Sequence, residues 1–328
     1  CHFALEAKRN PLPFNPVNAG AAINTPASEY SPAISADGQT LVFTRKEDTG
    51  FGRLTENFYF SHMGPAGWMP AYSLGHPLQT DENEGAASIS SDGRELFFTA
   101  CNRPDGLGSC DIFYSVWEND RWKQPLPLPW PLNTRAWESH PSISADGKWL
   151  YFVSNREGGM GASDIYVAER LADGSWKEPV NLGLKINTPG REMAPFIHAD
   201  GKTLYFSSDG HTGMGGLDLF IAERNDQGIW SRPRNLGYPV NTHADESSLV
   251  VSPDGTTAYF ASNRPGGFGG MDIYTFSLPE PIRPAMAREY SAEIKPADPV
   301  SLHSLLTLDS LISGALPRAG VDILLQNI

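Results

Sequence analysis

Residues 138–188 read E-S-H-P-S-I-S-A-D-G-K-W-L-Y-F-V-S-N-R-E-G-G-M-G-A-S-D-I-Y-V-A-E-R-L-A-D-G-S-W-K-E-P-V-N-L-G-L-K-I-N-T, and most of the chain repeats this stretch. The aspartate of the Asp-Gly pair recurs at spacings of 55, 54, 54 and 54 residues: Asp37, Asp92, Asp146, Asp200 and Asp254. A repeat of this length indicates stacked units, each of which buries its apolar surface against its neighbours.

Each repeat predicts four short strands. The first precedes the Asp-Gly pair, which suits a tight hairpin because Gly accepts a positive φ. The second is apolar and aromatic, as in W-L-Y-F-V-S, and a Gly-rich loop leads to a third, as in D-I-Y-V. The fourth lies around a recurring tryptophan: Trp68, Trp122, Trp176 and Trp230. Four antiparallel strands in such a unit predict one blade of a β-propeller.

The number of copies predicts the number of blades. Five copies of the first three strands occur, but only four internal copies of the fourth. Residues 12–25 match the last quarter of the repeat and can supply the missing strand, which would remove the exposed sheet edge. We therefore predict an all-β fold with a single five-bladed propeller over residues 12–280, closed by its own N-terminal strand. Six blades are the alternative, if the C-terminal stretch adds a degenerate one.

The two ends of the chain lack the repeat. Residues 1–11 show no periodicity and are interpreted as a tether. Residues 281–328 carry apolar side chains at roughly helical spacing, which predicts a short helical or irregular tail that packs on the propeller or docks into a partner. The partner-binding candidates in this tail are Leu305, Leu306, Leu311 and Ile312. The net charge of −13 without a basic tract argues against nucleic-acid binding.

The three cysteines indicate the compartment. A chain that begins with Cys1 is what cleavage of a bacterial lipoprotein precursor leaves, so Cys1 is the candidate lipidation site; an arbitrary start is the alternative. Cys101 and Cys110 flank a loop between two strands that should pair, which predicts a disulfide rather than two free thiols. Such a short loop would add about 2–3 kcal/mol. Together these features indicate an oxidising envelope compartment.

A glutamate recurs before the first strand of every repeat: Glu29, Glu84, Glu138, Glu192 and Glu246. These positions predict a ring at the mouth of the central channel, where neighbouring carboxylates would repel by about 1–2 kcal/mol per pair. Arg103, Arg156 and Arg264 are candidate partners and favour ion pairs between blades. A bound cation and ligand recognition by the ring are the alternatives.

Other repeated positions predict structure and contacts rather than chemistry. Aspartates that begin the third strand and those of the turns are interpreted as scaffold. Each Gly-rich loop places an apolar residue at its tip, and these tips either pack on the next blade or form a partner-binding face. The partner-binding candidates among the tips are Met160, Met214 and Phe268; Leu107 and Phe51 stand at matching positions.

Catalytic signatures are missing from the sequence. It contains no G-x-S-x-G, H-E-x-x-H or Cys-x-x-Cys pattern. Glycosidase chemistry needs two carboxylates in unlike environments, whereas these acids repeat in near-identical surroundings. The sequence therefore predicts a protein that is not an enzyme and that carries no cofactor and no metal.

The motif S-x-D-G-x-x-L-x-F-x-S-N-R followed by G-G-x-D-I-Y resembles the WD-like propeller repeats of the TolB family. It is still more similar to the propellers of OmpA-family envelope lipoproteins of Bacteroidota, including those linked to type IX secretion and gliding. The likeness covers residues 12–278, and this chain shows no clear OmpA domain. The resemblance implies a lipoprotein that acts as a scaffold or accessory subunit of an outer-membrane complex for secretion, insertion or uptake.

The resemblance also implies partners and a location. The expected partners are an outer-membrane β-barrel or other envelope proteins, with the membrane reached through the N-terminal lipid. His2 after the cysteine and the lack of an acidic cluster favour the periplasmic face of the outer membrane, with the cell surface as the alternative. A glycan- or peptide-binding propeller that uses the channel mouth is the second functional hypothesis, and a glycoside hydrolase is the third.

Overall fold

Five antiparallel sheets form one ring of blades in the computed structural model, which describes residues 2–48 and 54–288. The predicted five-bladed propeller is confirmed. Blade 1 comprises β2 (Ser28–Ile34), β3 (Thr40–Asp48), β4 (Leu54–Gly64), β5 (Gly67–Trp68) and β6 (Tyr72–Ser73). Blade 2 comprises β7 (Glu84–Ile89), β8 (Glu95–Cys101), β9 (Cys110–Glu118), β10 (Arg121–Trp122) and β11 (Leu126–Pro127).

The remaining blades have four strands each. Blade 3 comprises β12 (Glu138–Ile143), β13 (Trp149–Ser154), β14 (Asp164–Glu169) and β15 (Val180–Asn181). Blade 4 comprises β16 (Glu192–Ile197), β17 (Thr203–Ser208), β18 (Asp218–Glu223) and β19 (Arg234–Asn235). Blade 5 comprises β20 (Ser247–Val251), β21 (Thr257–Ser262), β22 (Asp272–Ser277) and, from the start of the chain, β1 (Val17–Asn18).

Strand β1 closes the ring, as predicted. Val17 pairs with Thr275 and Asn18 with Tyr274 in an antiparallel ladder. The Asn18 side chain donates a 2.9 Å hydrogen bond to Asp272 at the start of β22. A strand from the start of the chain therefore completes the last blade as its outer strand and joins the two ends of the ring.

The Ser-x-Asp-Gly sequence builds the hairpin at the end of each inner strand. In blade 3, the Ser144 hydroxyl donates to Asp146 at 2.6 Å and accepts from the Trp149 backbone N–H at 2.9 Å. Gly147 has a φ of 69°, which a side chain would disfavour. In blade 4, His198 replaces the serine, and its Nδ1 accepts from the Asp200 backbone N–H instead.

The hydrophobic core lies between neighbouring blades. Val42, Phe58 and Phe60 of blade 1 pack against Phe98 and Phe113 of blade 2, and equivalent clusters fill the other junctions. Full burial of one such aromatic side chain stabilises the fold by about 1.5–3 kcal/mol. Because no blade buries these faces alone, the ring is the stable unit.

Cys101 and Cys110 form the predicted disulfide between paired positions of β8 and β9. Blade 2 is the only described blade with such a bridge, because the other cysteine of the sequence, Cys1, lies outside the blades.

The ends of the propeller differ from their sequence interpretation. Within the predicted tether, His2–Arg9 form an α-helix, α1, because Ala, Leu, Glu, Lys and Arg all favour helix. At the other end, a 3₁₀ turn at Glu280–Ile282 packs Ile282 into the core between blades 4 and 5. Cys1 and the tail candidates Leu305, Leu306, Leu311 and Ile312 lie outside the described residues. Within residues 2–48 and 54–288, the helices are too short to cross a membrane.

Candidate functional site

The five recurring glutamates are buried at the starts of the inner strands. Four have no exposed surface and Glu246 is 6% exposed, and none lines the central channel. Each accepts hydrogen bonds from a threonine four residues earlier, with hydroxyl contacts of 2.5–2.8 Å and backbone N–H contacts of 2.8–3.1 Å. The threonines are Thr25, Thr80, Thr134, Thr188 and Thr242. The structure thus places the predicted channel-mouth ring inside the blade connections rather than at an open mouth.

Arginines neutralise three of these glutamates. Arg103 lies 3.0 Å from Glu84 and Arg156 lies 3.3 Å from Glu138, as the sequence suggested, but each pair lies within one blade rather than between blades. Arg45, which the sequence analysis missed, lies 2.8 Å from Glu29. It stands at the position of Ala100 and Ser154 in the repeat, so the N-R motif could not reveal it.

The remaining two glutamates are held differently. Glu192 accepts a 2.7 Å hydrogen bond from the Ser208 hydroxyl, and burial raises its pKa while this bond, its threonine and the nearby His211 lower it. Burial likewise raises the pKa of Glu246, whereas the hydrogen bonds from its threonine and the charge of Arg264 lower it. These carboxylates have protein partners in place, which is the arrangement of structural acids.

The inner strands line an apolar central channel with about 820 Å³ of empty volume, including its open ends. Each inner strand carries a bulge with a positive φ of 47–59° at one repeated position: Ser31, Ala86, His140, Ala194 and Ser248. Alanine, proline, serine, isoleucine and valine dominate the wall, with Phe196 and His140 as the aromatic exceptions. Of the described wall residues, none is a carboxylate.

Among the described residues of this wall, His140 is the only histidine. Its Nδ1 is buried without a hydrogen-bond partner, and burial lowers the pKa of the ring to about 4. The imidazole is therefore neutral at physiological pH.

We expect His140→Ala to remove part of the acid sensitivity of the fold. Below about pH 6.5 the unfolded chain binds a proton at His140, whereas the folded chain does so only near pH 4, so this residue destabilises the fold as pH falls through that window. The cost should reach about 1–3 kcal/mol at pH 4.5. Ala86 and Ala194 already adopt the same positive φ, so the variant should fold.

Urea unfolding at pH 7.5 and pH 4.5 measures this effect, with His2→Ala in exposed α1 as the control. If His140→Ala and the parent protein lost equal stability between the two pH values, the assignment to His140 would be wrong.

The Gly-rich loops are hydrogen-bonded to the start of the third strand and present apolar tips on one face. The aspartate that begins the third strand accepts a hydrogen bond from the backbone N–H of the tip residue, as from Leu107 to Asp111 at 2.9 Å; Met160 to Asp164, Met214 to Asp218 and Phe268 to Asp272 repeat it. The tips Leu107, Met160 and Phe268 are 52%, 38% and 49% exposed, whereas Met214 is partly buried. Phe51 lies outside the described residues.

The glycine after each tip allows the loop backbone to approach the next blade closely. A side chain at Gly161 would lie 2.2 Å from the Thr188 carbonyl oxygen, and one at Gly269 would lie 2.0 Å from the Ala27 carbonyl oxygen. The loops therefore press their backbone on the next blade while the exposed tip side chains point outwards. The three exposed tips, Leu107, Met160 and Phe268, together form the tip rim.

Within the described part of the chain, no three or more His, Cys, Asp or Glu side chains lie close enough together to hold a metal ion.

Several solved structures are similar to this chain. TolB from Acinetobacter baumannii is 20% identical with a TM-score of 0.46, over 77% of this chain and 55% of that one. A thermostable family-43 glycoside hydrolase is 15% identical with a TM-score of 0.50, over 79% and 91% of the two chains. An arabinanase from Bacillus subtilis is 14% identical with a TM-score of 0.50, over 76% and 95%. This chain thus spans about half the length of the TolB chain.

No protein-family model matches the sequence, and no curated protein matches it significantly.

The comparisons correct one prediction from the sequence. We predicted a protein that is not an enzyme, but the solved structures of similar fold include a family-43 glycoside hydrolase and an arabinanase. The prediction is therefore contradicted, because a repeated set of acids and the lack of catalytic signatures do not exclude catalysis on this fold. At these identities the likeness concerns architecture, and it agrees with the ring of five sheets. The chain is a five-bladed β-propeller.

Proposed function

We propose that this propeller is a scaffold or accessory subunit of an outer-membrane protein complex, held at the membrane by a lipid on Cys1. The tip rim would bind the partner protein. The observation that carries the proposal is the exposure of three large apolar side chains at equivalent positions of one face.

Apolar side chains presented together in this way are typical of protein-binding surfaces. Leu107, Met160 and Phe268 leave 38–52% of their surface in water, so they contribute little to the stability of the propeller itself. Their loops are already ordered by hydrogen bonds to the strand aspartates, so binding a partner would cost little conformational entropy in these loops. A protein surface with matching apolar pockets is the occupant that this chemistry favours.

Two further features support an envelope location. The Cys101–Cys110 disulfide persists in oxidising compartments, such as the periplasm. The net charge of −13 disfavours nucleic acid and anionic surfaces as partners. The proposal includes a lipid on Cys1 and a location at the periplasmic face of the outer membrane. The proposed partners are an outer-membrane β-barrel or other envelope proteins.

Purification of the protein from its native membranes in mild detergent tests the proposal. Mass spectrometry should show an acylated Cys1 and a stoichiometric outer-membrane companion. A solitary protein without an acyl group would overturn it.

A further inference from the structure

An aromatic groove lies between blades 1 and 2, at the opposite ends of the strands from the tip rim. It holds about 770 Å³ of empty volume, including its open mouth. Its wall contains five aromatic or imidazole rings and two turn aspartates: Phe60, His62, Tyr72, Trp117, Trp122, Asp37 and Asp92. We call it the blade 1–2 groove.

The neighbouring blades show what fills the corresponding position elsewhere. On the third strand, Trp117 lies opposite Trp122, as Arg170 lies opposite Trp176 in blade 3 and Arg224 opposite Trp230 in blade 4. Each of these two arginines places its guanidinium 5.6 Å from the centre of the tryptophan ring.

These arginines also reach polar partners. Arg170 lies 2.8 Å from the carboxylate of Glu95 in the preceding blade, and Arg224 donates to the Gly201 carbonyl oxygen at 2.8 Å. In blades 3 and 4 this position therefore holds a guanidinium between an aromatic face and an oxygen acceptor, whereas in blade 1 Met63 lies opposite Trp68.

The blade 1–2 groove has the aromatic walls without that arginine. Trp117 and Tyr72 remain 39% and 43% exposed. Trp117 packs edge-to-face on Trp122, with ring centres 5.5 Å apart. The Tyr72 hydroxyl lies 3.0 Å from Nε2 of His62, whose Nδ1 lies 3.1 Å from the Thr40 hydroxyl, so the tyrosine ring is positioned by hydrogen bonds.

The groove is also negative. The hydrogen bond from the Ser35 hydroxyl to Asp37 lowers the pKa of that carboxyl, and the one from Ser90 does the same for Asp92, assisted by the nearby Arg94. Both carboxyls are thus ionised at neutral pH. None of the described wall residues is Lys or Arg.

We propose that the blade 1–2 groove binds the guanidinium of an arginine side chain from a partner protein, in the place that Arg170 and Arg224 take in their own blades. The aromatic rings supply cation–π contacts and the turn aspartates supply the counter-charge. A neutral saccharide would stack on the same rings but would bring no positive charge to the two carboxylates. The site is independent of the tip rim and of the scaffold proposal.

Calorimetric titration of the full-length protein with the peptide acetyl-Gly-Arg-Gly-amide tests this site. The matched peptide with Gln in place of Arg should bind at least about tenfold more weakly. Trp117→Arg should lower the affinity for the Arg peptide by a similar factor, because the protein then fills the groove with its own side chain. The double variant Asp37→Asn with Asp92→Asn should bind the Arg peptide several-fold more weakly, and this binding should depend less on salt concentration.

Trp130→Ala is the control, since Trp130 is also exposed but does not line the groove. Trp130→Ala should bind the Arg peptide with the affinity of the parent protein. Thermal unfolding should show that every variant is folded. Equal binding of the two peptides, no binding of either, or an unchanged affinity in folded Trp117→Arg would each overturn the proposal. Binding of cellotriose, but not of the Arg peptide, would reassign the groove to glycans.

Discussion

Deletion of residues 2–18 should destabilise the propeller by about 4–6 kcal/mol, because it opens the ring. The deletion removes β1 and the Asn18–Asp272 hydrogen bond. It also removes Phe14, whose ring packs edge-on against Phe276 with centres 4.9 Å apart and under Arg264 at 5.0 Å. Blade 5 would then have three strands and an exposed edge.

Deletion of residues 2–11 is the matched control. It removes α1 and the contact of Lys8 with the Tyr238 ring but leaves β1 and Phe14 in place. We expect a loss below about 1 kcal/mol from this shorter deletion. Urea unfolding measures both free energies, and equal losses from the two deletions would contradict closure by β1.

Arg103→Met is expected to cost about 3–5 kcal/mol of unfolding free energy. It leaves Glu84, which has no exposed surface, with an uncompensated charge in the interior. The Arg103 guanidinium also donates to the Leu78 carbonyl oxygen at 2.7 Å and lies 4.9 Å from the centre of the Phe113 ring. Methionine keeps much of the packing on Phe113, so the expected loss is mainly electrostatic.

Two comparison variants separate this effect from a general loss of charge. Arg191→Met breaks an ion pair with Asp209 in which the arginine side chain is half exposed, and it should cost less than about 1 kcal/mol. The double variant Arg103→Met with Glu84→Gln should be more stable than Arg103→Met alone, since no buried charge then remains unpaired. Strictly additive losses would show that the two side chains are not coupled.

The sequence was sufficient to predict the ring of blades and its closure. The Asp-Gly spacing defined the repeat, and the missing fourth strand of blade 5 identified residues 12–25 as its source. These features depend on backbone pairing and apolar periodicity, which a repeated sequence shows several times over.

The direction of the recurring glutamates could not be predicted in the same way. Each inner strand contains a register shift, as between Ser139 and Ser142, so simple alternation of faces does not tell which side chains line the channel. A threonine four residues before every glutamate was the available signal for burial in the loop connection. Helix α1 was not predicted because its residues favour helix individually but lie outside the repeat on which the prediction depended.

The blade 1–2 groove illustrates a different limit. The repeated glutamates were easy to find and are held by hydrogen bonds inside the blade connections, whereas Trp117 and Tyr72 depart from the repeat. The sequence does show Trp117 where blades 3 and 4 have arginine, but only the strand register shows that these residues face equivalent tryptophans.

The tip rim is tested most directly by one triple variant, Leu107→Ser with Met160→Ser and Phe268→Ser, isolated from native membranes beside the parent protein. The measured quantity is the molar ratio of each co-purified membrane protein to the propeller. A control triple variant changes three other exposed apolar residues, Trp130, Val180 and Leu184, to serine. We predict that the companion is lost, by about tenfold or more, from the tip-rim variant and retained by the control. An unchanged ratio in a folded tip-rim variant would contradict the proposal that this face binds the partner.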